Sequence, residues 1–120
     1  MSPFKGQTGL KRILNASGYS FDGLRAAFTG EAAFRQLVLL NAVLIPLSFF
    51  LSVSRVERAL LIAVCLLALI VELLNSAVEA AIDRISLERH PLSKNAKDMG
   101  SAAQLVALSM IALVWAVILF

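Results

Sequence analysis

Apolar residues fall into three long runs along this chain, separated by short polar segments. The first run covers residues 34–53, the second begins near Val56, and the third covers residues 99–120. A helix that crosses a bilayer needs about 20 predominantly apolar residues. We therefore predict three transmembrane helices, over residues 34–53, 56–83 and 99–120, with a polar loop over residues 84–98.

The second run is interrupted before it is long enough to span a membrane. No charged residue occurs from Ala59 to Val71, and this stretch is too short to cross by itself. The helix must therefore continue through Glu72 and Asn75 if it is to cross. At its other end, Ser54 and Glu57 have the spacing of a capping box, which predicts a helix start at this point.

The segment before the first run, residues 8–30, has a different pattern. Its apolar residues recur at steps of three and four, while most charged residues lie off that seam. This spacing is typical of an amphipathic helix, with Gly18 and Gly23 as positions where it could break. Such a helix lies on the membrane surface or packs on the helix bundle, and one helix can do both.

The composition indicates a single-domain, all-α membrane protein. The chain has 120 residues, of which 59% are hydrophobic, above the about 45–50% usual in soluble domains. The net charge of +3 comes without a run of Lys or Arg or a zinc-finger spacing. We therefore expect basic loops against anionic lipid rather than a nucleic-acid partner. The single Cys65 excludes an internal disulfide and is expected to be buried.

Lys and Arg are unevenly distributed among the segments outside the apolar runs. Lys5, Lys11, Arg12 and Arg25 precede the first run, with Arg35 at its edge, and Arg84, Arg89, Lys94 and Lys97 follow the second. Only Arg55 and Arg58 lie between these runs. Cytoplasmic loops carry the excess of positive charge. We therefore predict that the N-terminus and residues 84–98 are cytoplasmic and that the C-terminus is periplasmic.

Polar residues form a stripe near the cytoplasmic end of the second predicted span. At about 100° per residue, Glu72, Asn75, Glu79 and Asp83 fall within about 80° of arc. Counted from the outer end, Glu72 lies about 20 Å into a hydrocarbon core of about 30 Å, and Glu79 lies at the cytoplasmic interface. Glu31, which precedes the first span, is expected at the same level as Glu79.

Three interpretations of this acidic stripe remain open from the residues alone. In the first, a divalent cation relieves the repulsion between Glu31 and Glu79, and Mg²⁺ suits one or two carboxylates together with substrate phosphates. Glu72 would then act as a general base on a hydroxyl at its depth. The alternatives are hydrogen bonding between helices and a path for protons or ions.

Lys97 adds a cation at the cytoplasmic mouth of the predicted bundle. It shares a helix face with Ser101 and Gln104 and would suit an anionic ligand such as a nucleotide phosphate. The alternative is a lysine that only follows the positive-inside rule. The sequence has no Walker A motif and no protein-kinase glycine loop. A nucleotide would therefore be bound by an unrelated arrangement.

Four stretches carry a resemblance to a known family: ASGYSFDGLRAAF, EAAFRQ, VELLNSAVEAAIDRI and AKDMGSAA. Together they closely resemble the small bacterial integral-membrane diacylglycerol kinases, from about Thr8 to the end of the chain. The undecaprenol kinases of Gram-positive bacteria are related to them. The resemblance implies an inner-membrane homotrimer with active sites shared between neighbouring chains. It also implies transfer of the γ-phosphate of ATP to diacylglycerol, with Mg²⁺ as cofactor, giving phosphatidic acid.

The resemblance implies roles for individual residues as well. Glu72 matches the catalytic base, and Glu31 and Glu79 match the magnesium ligands, which also approach the nucleotide. The other nucleotide-binding positions are Arg12, Tyr19, Glu88, Arg89, His90, Lys97 and Asp98. The lipid substrate is expected against Arg12, Asn15, Ser17, Glu72, Asn75, Ser101 and Trp115. For Trp115 the alternative is an aromatic anchor at the outer membrane interface.

Two further classes of protein remain as rivals to a kinase. One is a small oligomeric ion or proton channel, whose conductance would depend on Glu72 without ATP. The other is a non-catalytic assembly subunit, which would not need its acidic residues. Within the kinase class, undecaprenol is the alternative acceptor, because it also offers a terminal hydroxyl at the membrane interface.

Overall fold

The computed structural model describes residues 9–120, which form four helices. These are α1 (Gly9–Gly30), α2 (Ala32–Ser48), α3 (Arg55–Ile85) and α4 (Pro91–Leu119). No strand occurs among these residues, which confirms the all-α class. Lys5 and Thr8, used in the predictions above, lie outside the described residues. By length and composition, α3 and α4 can each cross a membrane, whereas α1 and α2 pass that test only as a pair.

A corner of 104° joins α1 to α2. Glu31 stands at this corner in an extended conformation, with φ of −123° and ψ of 109°. Arg35 donates from Nη1 to the carbonyl oxygens of Phe28 at 2.7 Å and Thr29 at 3.2 Å. The last carbonyls of a helix lack partners within it, and a cation there is favourable. Arg35 therefore fixes the corner that positions Glu31.

Helix α1 runs through Gly18 and Gly23 without a break. Helix α2, in contrast, ends at Ser48, so the prediction of a span continuing to residue 53 was too long. The chain reverses over residues 49–54, and Arg58 from α3 stabilises that reversal. Its guanidinium donates to the carbonyl oxygens of Ser48 at 2.9 Å and Leu51 at 3.0 Å.

The predicted capping box at the start of α3 is confirmed. The Ser54 amide donates to Oε1 of Glu57 at 2.9 Å, and the Glu57 amide donates to Oγ of Ser54 at 3.1 Å. From there α3 continues without interruption past Glu72 and Asn75. The polar stripe therefore belongs to the same helix as the apolar run before it.

The loop predicted over residues 84–98 is shorter, because only residues 86–90 lie between α3 and α4. Pro91 takes the first helical position of α4, where its missing N–H costs nothing. Nδ1 of His90 accepts from the Leu92 amide at 3.1 Å and so caps the helix. The polar composition of residues 91–98 suggested a loop, but these residues form about the first two turns of α4, ahead of its apolar run. Lys97 and Asp98 are thereby placed on a helix.

The core lies between α2, α3 and α4, with α3 packed most extensively on α4. Its buried members are Leu37, Leu61, Val64, Cys65, Ala68, Ala107, Ile111 and Trp115. The burial of Cys65 confirms the expectation for that residue. Many large apolar side chains outside the core are exposed, for example Leu74 at 62% and Leu113 at 66%. Such faces require lipid or neighbouring chains to cover them.

Candidate active site

Glu72 is the buried acid of the polar stripe, with only 6% of its surface exposed. Gln104 reaches it from α4, donating from Nε2 to Oε2 of Glu72 at 3.3 Å and to the Ala68 carbonyl at 3.3 Å. A buried carboxylate is costly unless it is hydrogen-bonded or paired. The amide of Gln104 supplies such a bond without adding a charge.

Two other predicted acidic residues lie close enough to act on this carboxyl group. Glu79 and Glu31 interact with Glu72 electrostatically, and the side chain of Asn75 interacts with it as well. Glu31 and Glu79 are both half-buried. The structure therefore brings the stripe of α3 together with the residue at the α1–α2 corner. This juxtaposition depends on the corner held by Arg35.

The carboxylates fit a magnesium ion only in combination with another ligand. Within residues 9–120, no group of three or more His, Cys, Asp or Glu side chains is placed to hold a metal ion. Mg²⁺ is usually bound by one or two protein carboxylates, while waters and substrate phosphates complete its shell. Glu31 and Glu79 would suit such a shared ion and not an all-protein cage.

A cavity of about 660 Å³ lies at the turn between α3 and α4. Its lining includes five of the residues predicted to bind the nucleotide, Glu88, Arg89, His90, Lys97 and Asp98. Small-molecule sites commonly have volumes of about 300–1,000 Å³. The cavity is thus of a size that a small molecule can occupy, and charged residues contribute to its lining.

Lys97 and Asp98, two of the predicted nucleotide-binding residues, each form an ion pair with another residue in the structure. Nζ of Lys97 lies 2.8 Å from Oδ1 of Asp83, and Nζ of Lys94 lies 2.6 Å from Oδ2 of Asp98. These side chains are between 43% and 76% exposed. Exposed ion pairs contribute little to stability, so an anionic ligand can take over either lysine at small cost.

The predicted site residues of α1 lie elsewhere in the single chain. Arg12 and Ser17 line a separate shallow pocket of about 470 Å³, to which only α1 contributes. Tyr19 is an exposed residue of the same helix, and Asn15 is half-buried. No residue of α1 lines the cavity at the α3–α4 turn. One chain therefore does not bring these residues to Lys97.

The two predicted lipid-side residues of α4 are separated along that helix. Ser101 is exposed and follows Gly100, which lies against Asn75 of the polar stripe. Trp115 is buried, and its indole N–H donates to the Leu61 carbonyl at 3.2 Å. It lies about three helical turns from Gln104. Within one chain, Trp115 is therefore part of the core and is distant from Glu72.

Sequence comparison shows which known proteins this chain is similar to. The sequence model of the prokaryotic diacylglycerol kinases matches residues 18–119. A Pseudomonas aeruginosa protein named diacylglycerol kinase is 80% identical over 118 residues, which cover 98% of this chain and 96% of the relative. The chain belongs to the prokaryotic diacylglycerol kinase family.

More distant members of the family cover the chain almost as fully. A diacylglycerol kinase of Haemophilus influenzae is 50% identical over 113 residues, covering 94% of this chain and 96% of the relative. The diacylglycerol kinase of Escherichia coli is 48% identical over 113 residues, covering 94% and 93%. The resemblance carried by the four sequence stretches is thus confirmed. The family match includes every member of the acidic stripe as well as Lys97 and Asp98.

Three contributors to this site were not predicted. Arg35 was counted only as a positive charge near the membrane, although it holds the corner beneath Glu31. Gln104 was placed on the face of Lys97 and Ser101 without a role, yet it hydrogen-bonds Glu72. Gly100 was not singled out, and it lies directly against Asn75. A glutamine within an apolar helix was the available signal, because such residues usually bond to a neighbouring helix.

Proposed function

We propose that this protein is an ATP-dependent lipid kinase that phosphorylates diacylglycerol to phosphatidic acid. The observation that carries the proposal is the position of Glu72, a buried carboxylate beside two further carboxylates and an amide. Membership of the prokaryotic diacylglycerol kinase family supports diacylglycerol as the acceptor.

ATP would bind in the cavity at the α3–α4 turn. Its phosphates would replace Asp83 as the partner of Lys97, while Glu88, Arg89, His90 and Asp98 would surround the rest of the nucleotide. Glu31 and Glu79 would hold Mg²⁺ jointly with these phosphates, and the ion would supply positive charge against the phosphoryl oxygens. The lysine supplies the same kind of stabilisation from the protein.

The chemical step would be a direct transfer. The lipid hydroxyl oxygen forms a bond to the γ-phosphorus as the bond to the β–γ bridging oxygen breaks, and ADP leaves. Glu72 accepts the hydroxyl proton, and Asn75 orients the reacting groups. Phosphoryl transfer depends mainly on positioning and on charge stabilisation. No phosphorylated enzyme intermediate is required.

The complete site would be assembled from neighbouring chains of a homotrimer. This proposal is supported by the separation of Arg12 and Ser17 from the α3–α4 cavity within one chain. The extensive exposed apolar surface also requires partners or lipid. The distribution of Lys and Arg supports a bacterial inner-membrane protein with a cytoplasmic N-terminus and a periplasmic C-terminus. Tyr19 and Asn15 would then reach the nucleotide and the lipid from the α1 surface helix.

The test is phosphate transfer from γ-labelled ATP by purified protein in mixed micelles. Diacylglycerol and undecaprenol are assayed in parallel, with and without Mg²⁺. We expect labelled phosphatidic acid that depends on Mg²⁺. A preference for undecaprenol would keep the mechanism but replace the acceptor. Absence of transfer to either lipid by a folded oligomer would contradict the kinase proposal, and conductance in vesicles would then favour a channel.

The Glu72→Gln variant tests the base. Gln keeps the size of the side chain but cannot accept the proton, so we expect turnover to fall by about 10²–10⁴-fold. Helical circular dichroism and oligomer size should remain those of the unaltered protein. Near-normal turnover in a correctly folded variant would exclude Glu72 as the base.

A further inference from the structure

Two residues of α4 face two residues of α3 across the polar half of their interface. Gly100 and Gln104 are one helical turn apart, and Asn75 and Glu72 are nearly one turn apart on the antiparallel partner. Gly100 lies against Asn75, and Gln104 hydrogen-bonds Glu72. One face of α4 therefore contacts both the residue assigned as base and its polar neighbour.

Gly100 is the place where α4 comes closest to Asn75. A Cβ atom at position 100 would overlap Oδ1 of Asn75 and lie 3.1 Å from its Cγ. The helical glycines Gly18, Gly23 and Gly30 have nothing within 4 Å of the same position. Glycine destabilises a helix relative to alanine. At position 100, however, only a residue without a Cβ atom allows this close contact with the Asn75 amide.

Gln104 holds Glu72 by one oxygen only. Its Nε2 donates to Oε2 of Glu72, while its own Oε1 is buried without a hydrogen-bond partner among residues 9–120. Oδ1 of Asn75 is likewise buried without a hydrogen-bond partner among these residues. A buried acceptor without a hydrogen-bond partner destabilises the folded protein. Two of them beside one acid indicate a site arranged for a task other than stability.

We propose that the Gly100–Gln104 face of α4 is a positioning device that orients Asn75 and Glu72 for proton transfer. This inference rests on the proposed function, since it assigns an orientation to the base of that reaction. An amide suits the task because it can serve both states of the carboxyl group. Its N–H donates to the carboxylate before transfer, and its carbonyl oxygen can accept from the carboxylic acid afterwards.

The first test is Gln104→Met, which keeps the length of the side chain but removes both amide groups. We expect kcat for diacylglycerol to fall about tenfold, the value of one hydrogen bond to a charged group. KM for ATP and for the lipid should stay within about twofold, because the base acts after binding. The matched control is Leu105→Met at the neighbouring exposed position, for which we expect unchanged kcat.

The second test is a double-mutant cycle of Gly100→Ala and Asn75→Ala. If glycine acts through Asn75, then Gly100→Ala lowers kcat about tenfold or more in the unaltered protein and has almost no further effect in the Asn75→Ala background. Gly23→Ala is the control for adding a methyl group to a helix where space is open. If Gly100→Ala alone does not fold, equal activity of the double variant and Asn75→Ala still supports the inference.

The outcomes separate this inference from the proposed function. Absence of lipid phosphorylation by the unaltered protein, or normal turnover in Glu72→Gln, would overturn the function and the inference with it. Loss of turnover in Glu72→Gln together with unchanged kcat in Gln104→Met would overturn the inference alone. Equal loss from Gly100→Ala in both backgrounds would show that glycine serves helix packing and does not position Asn75.

Discussion

The α3–α4 interface has two halves with opposite characters. Towards the α2–α3 turn it is apolar and closed, since Leu61 and Cys65 are fully buried and the Trp115 indole donates to the Leu61 carbonyl. Towards the α3–α4 turn it contains Glu72 and Gln104. There, Oδ1 of Asn75 and Oε1 of Gln104 are buried without partners in the described part of the chain.

The difference shows what each half contributes. In the apolar half, the indole N–H of Trp115 is buried together with its acceptor, the Leu61 carbonyl. Burying this side chain therefore stabilises the fold without leaving a polar group unpaired. In the polar half, unpaired acceptors each cost about 1–3 kcal/mol. Departures from full hydrogen bonding tend to occur at functional sites. We therefore assign stability mainly to the first half and chemistry to the second.

The largest expected effect on stability comes from Leu61→Ala in the apolar half. The change removes a fully buried side chain and leaves a cavity, which typically lowers the free energy of unfolding by about 2–5 kcal/mol. Reversible unfolding in mixed micelles with increasing denaturing detergent measures this loss. Because Leu61 is remote from the acidic stripe, kcat per folded oligomer should stay within about twofold.

The matched control for that experiment is Leu113→Ala, at a leucine that is 66% exposed. Its effect on stability should be much smaller, since fewer packing contacts are lost. A large fall in kcat of folded Leu61→Ala would contradict the division into two halves. It would show that packing in the apolar half is transmitted to Glu72.

A smaller effect is expected at the open end of the polar half, from Asp83→Asn. This change removes the exposed ion pair with Lys97, so the free energy of unfolding should change by less than about 1 kcal/mol. It also removes a carboxylate that competes with phosphate for the lysine. We expect KM for ATP to fall about two- to fivefold at low salt, with kcat unchanged, and less at high salt.

The effect of Asp83→Asn is tested by measuring KM for ATP of the variant and of the unaltered protein at a low and a high ionic strength. A rise in KM would mean that Asp83 holds Lys97 in the orientation that binds phosphate. Asp22→Asn, on α1 and outside the cavity, is the control for the loss of one negative charge. It should leave the salt dependence of KM unaltered.

Local sequence signals were sufficient for much of the fold. The capping box at Ser54 and Glu57 set the start of α3, and the spacing of Glu72, Asn75 and Glu79 placed them on one face. Both features depend on residues within a few positions of each other. The end of α2 was misjudged because it depends on a contact across a turn. The Ser48 carbonyl at the end of α2 accepts a hydrogen bond from Arg58, ten residues further along the chain. The start of α4 was misjudged because its first residues, 91–98, are polar although they are helical.

The candidate site was predictable only in part for the same reason. The acidic residues of α3 were identified from one segment, but their neighbours come from other helices. The hydrogen bond between Gln104 and Glu72 joins residues 32 positions apart. The contact of Gly100 with Asn75 depends on the distance between helix backbones, which residue spacing does not determine. The contacts that complete the site therefore depend on packing between segments that are far apart in the sequence.

The sharpest test of the comparison comes from Asn41 on α2. This residue is 6% exposed; its Nδ2 donates to the Leu37 carbonyl at 2.9 Å, and its Oδ1 is buried without a partner in the described chain. Asn41→Leu keeps the branched shape and removes the unpaired oxygen, so we expect stability to rise by about 1 kcal/mol. Detergent unfolding measures this change, and kcat should be unaltered.

Asn41 and Gln104 each have a buried amide oxygen without a hydrogen-bond partner in the described chain, but of the two it is Gln104 that hydrogen-bonds Glu72. If Asn41→Leu stabilises the protein and keeps its activity while Gln104→Met lowers kcat, then a buried amide contributes to catalysis because it lies next to Glu72. If Asn41→Leu lowers kcat as well, the polar network extends from the α3–α4 interface into α2. The boundary between a stabilising half and a chemical half would then have to be drawn through α2 rather than between two segments of α3.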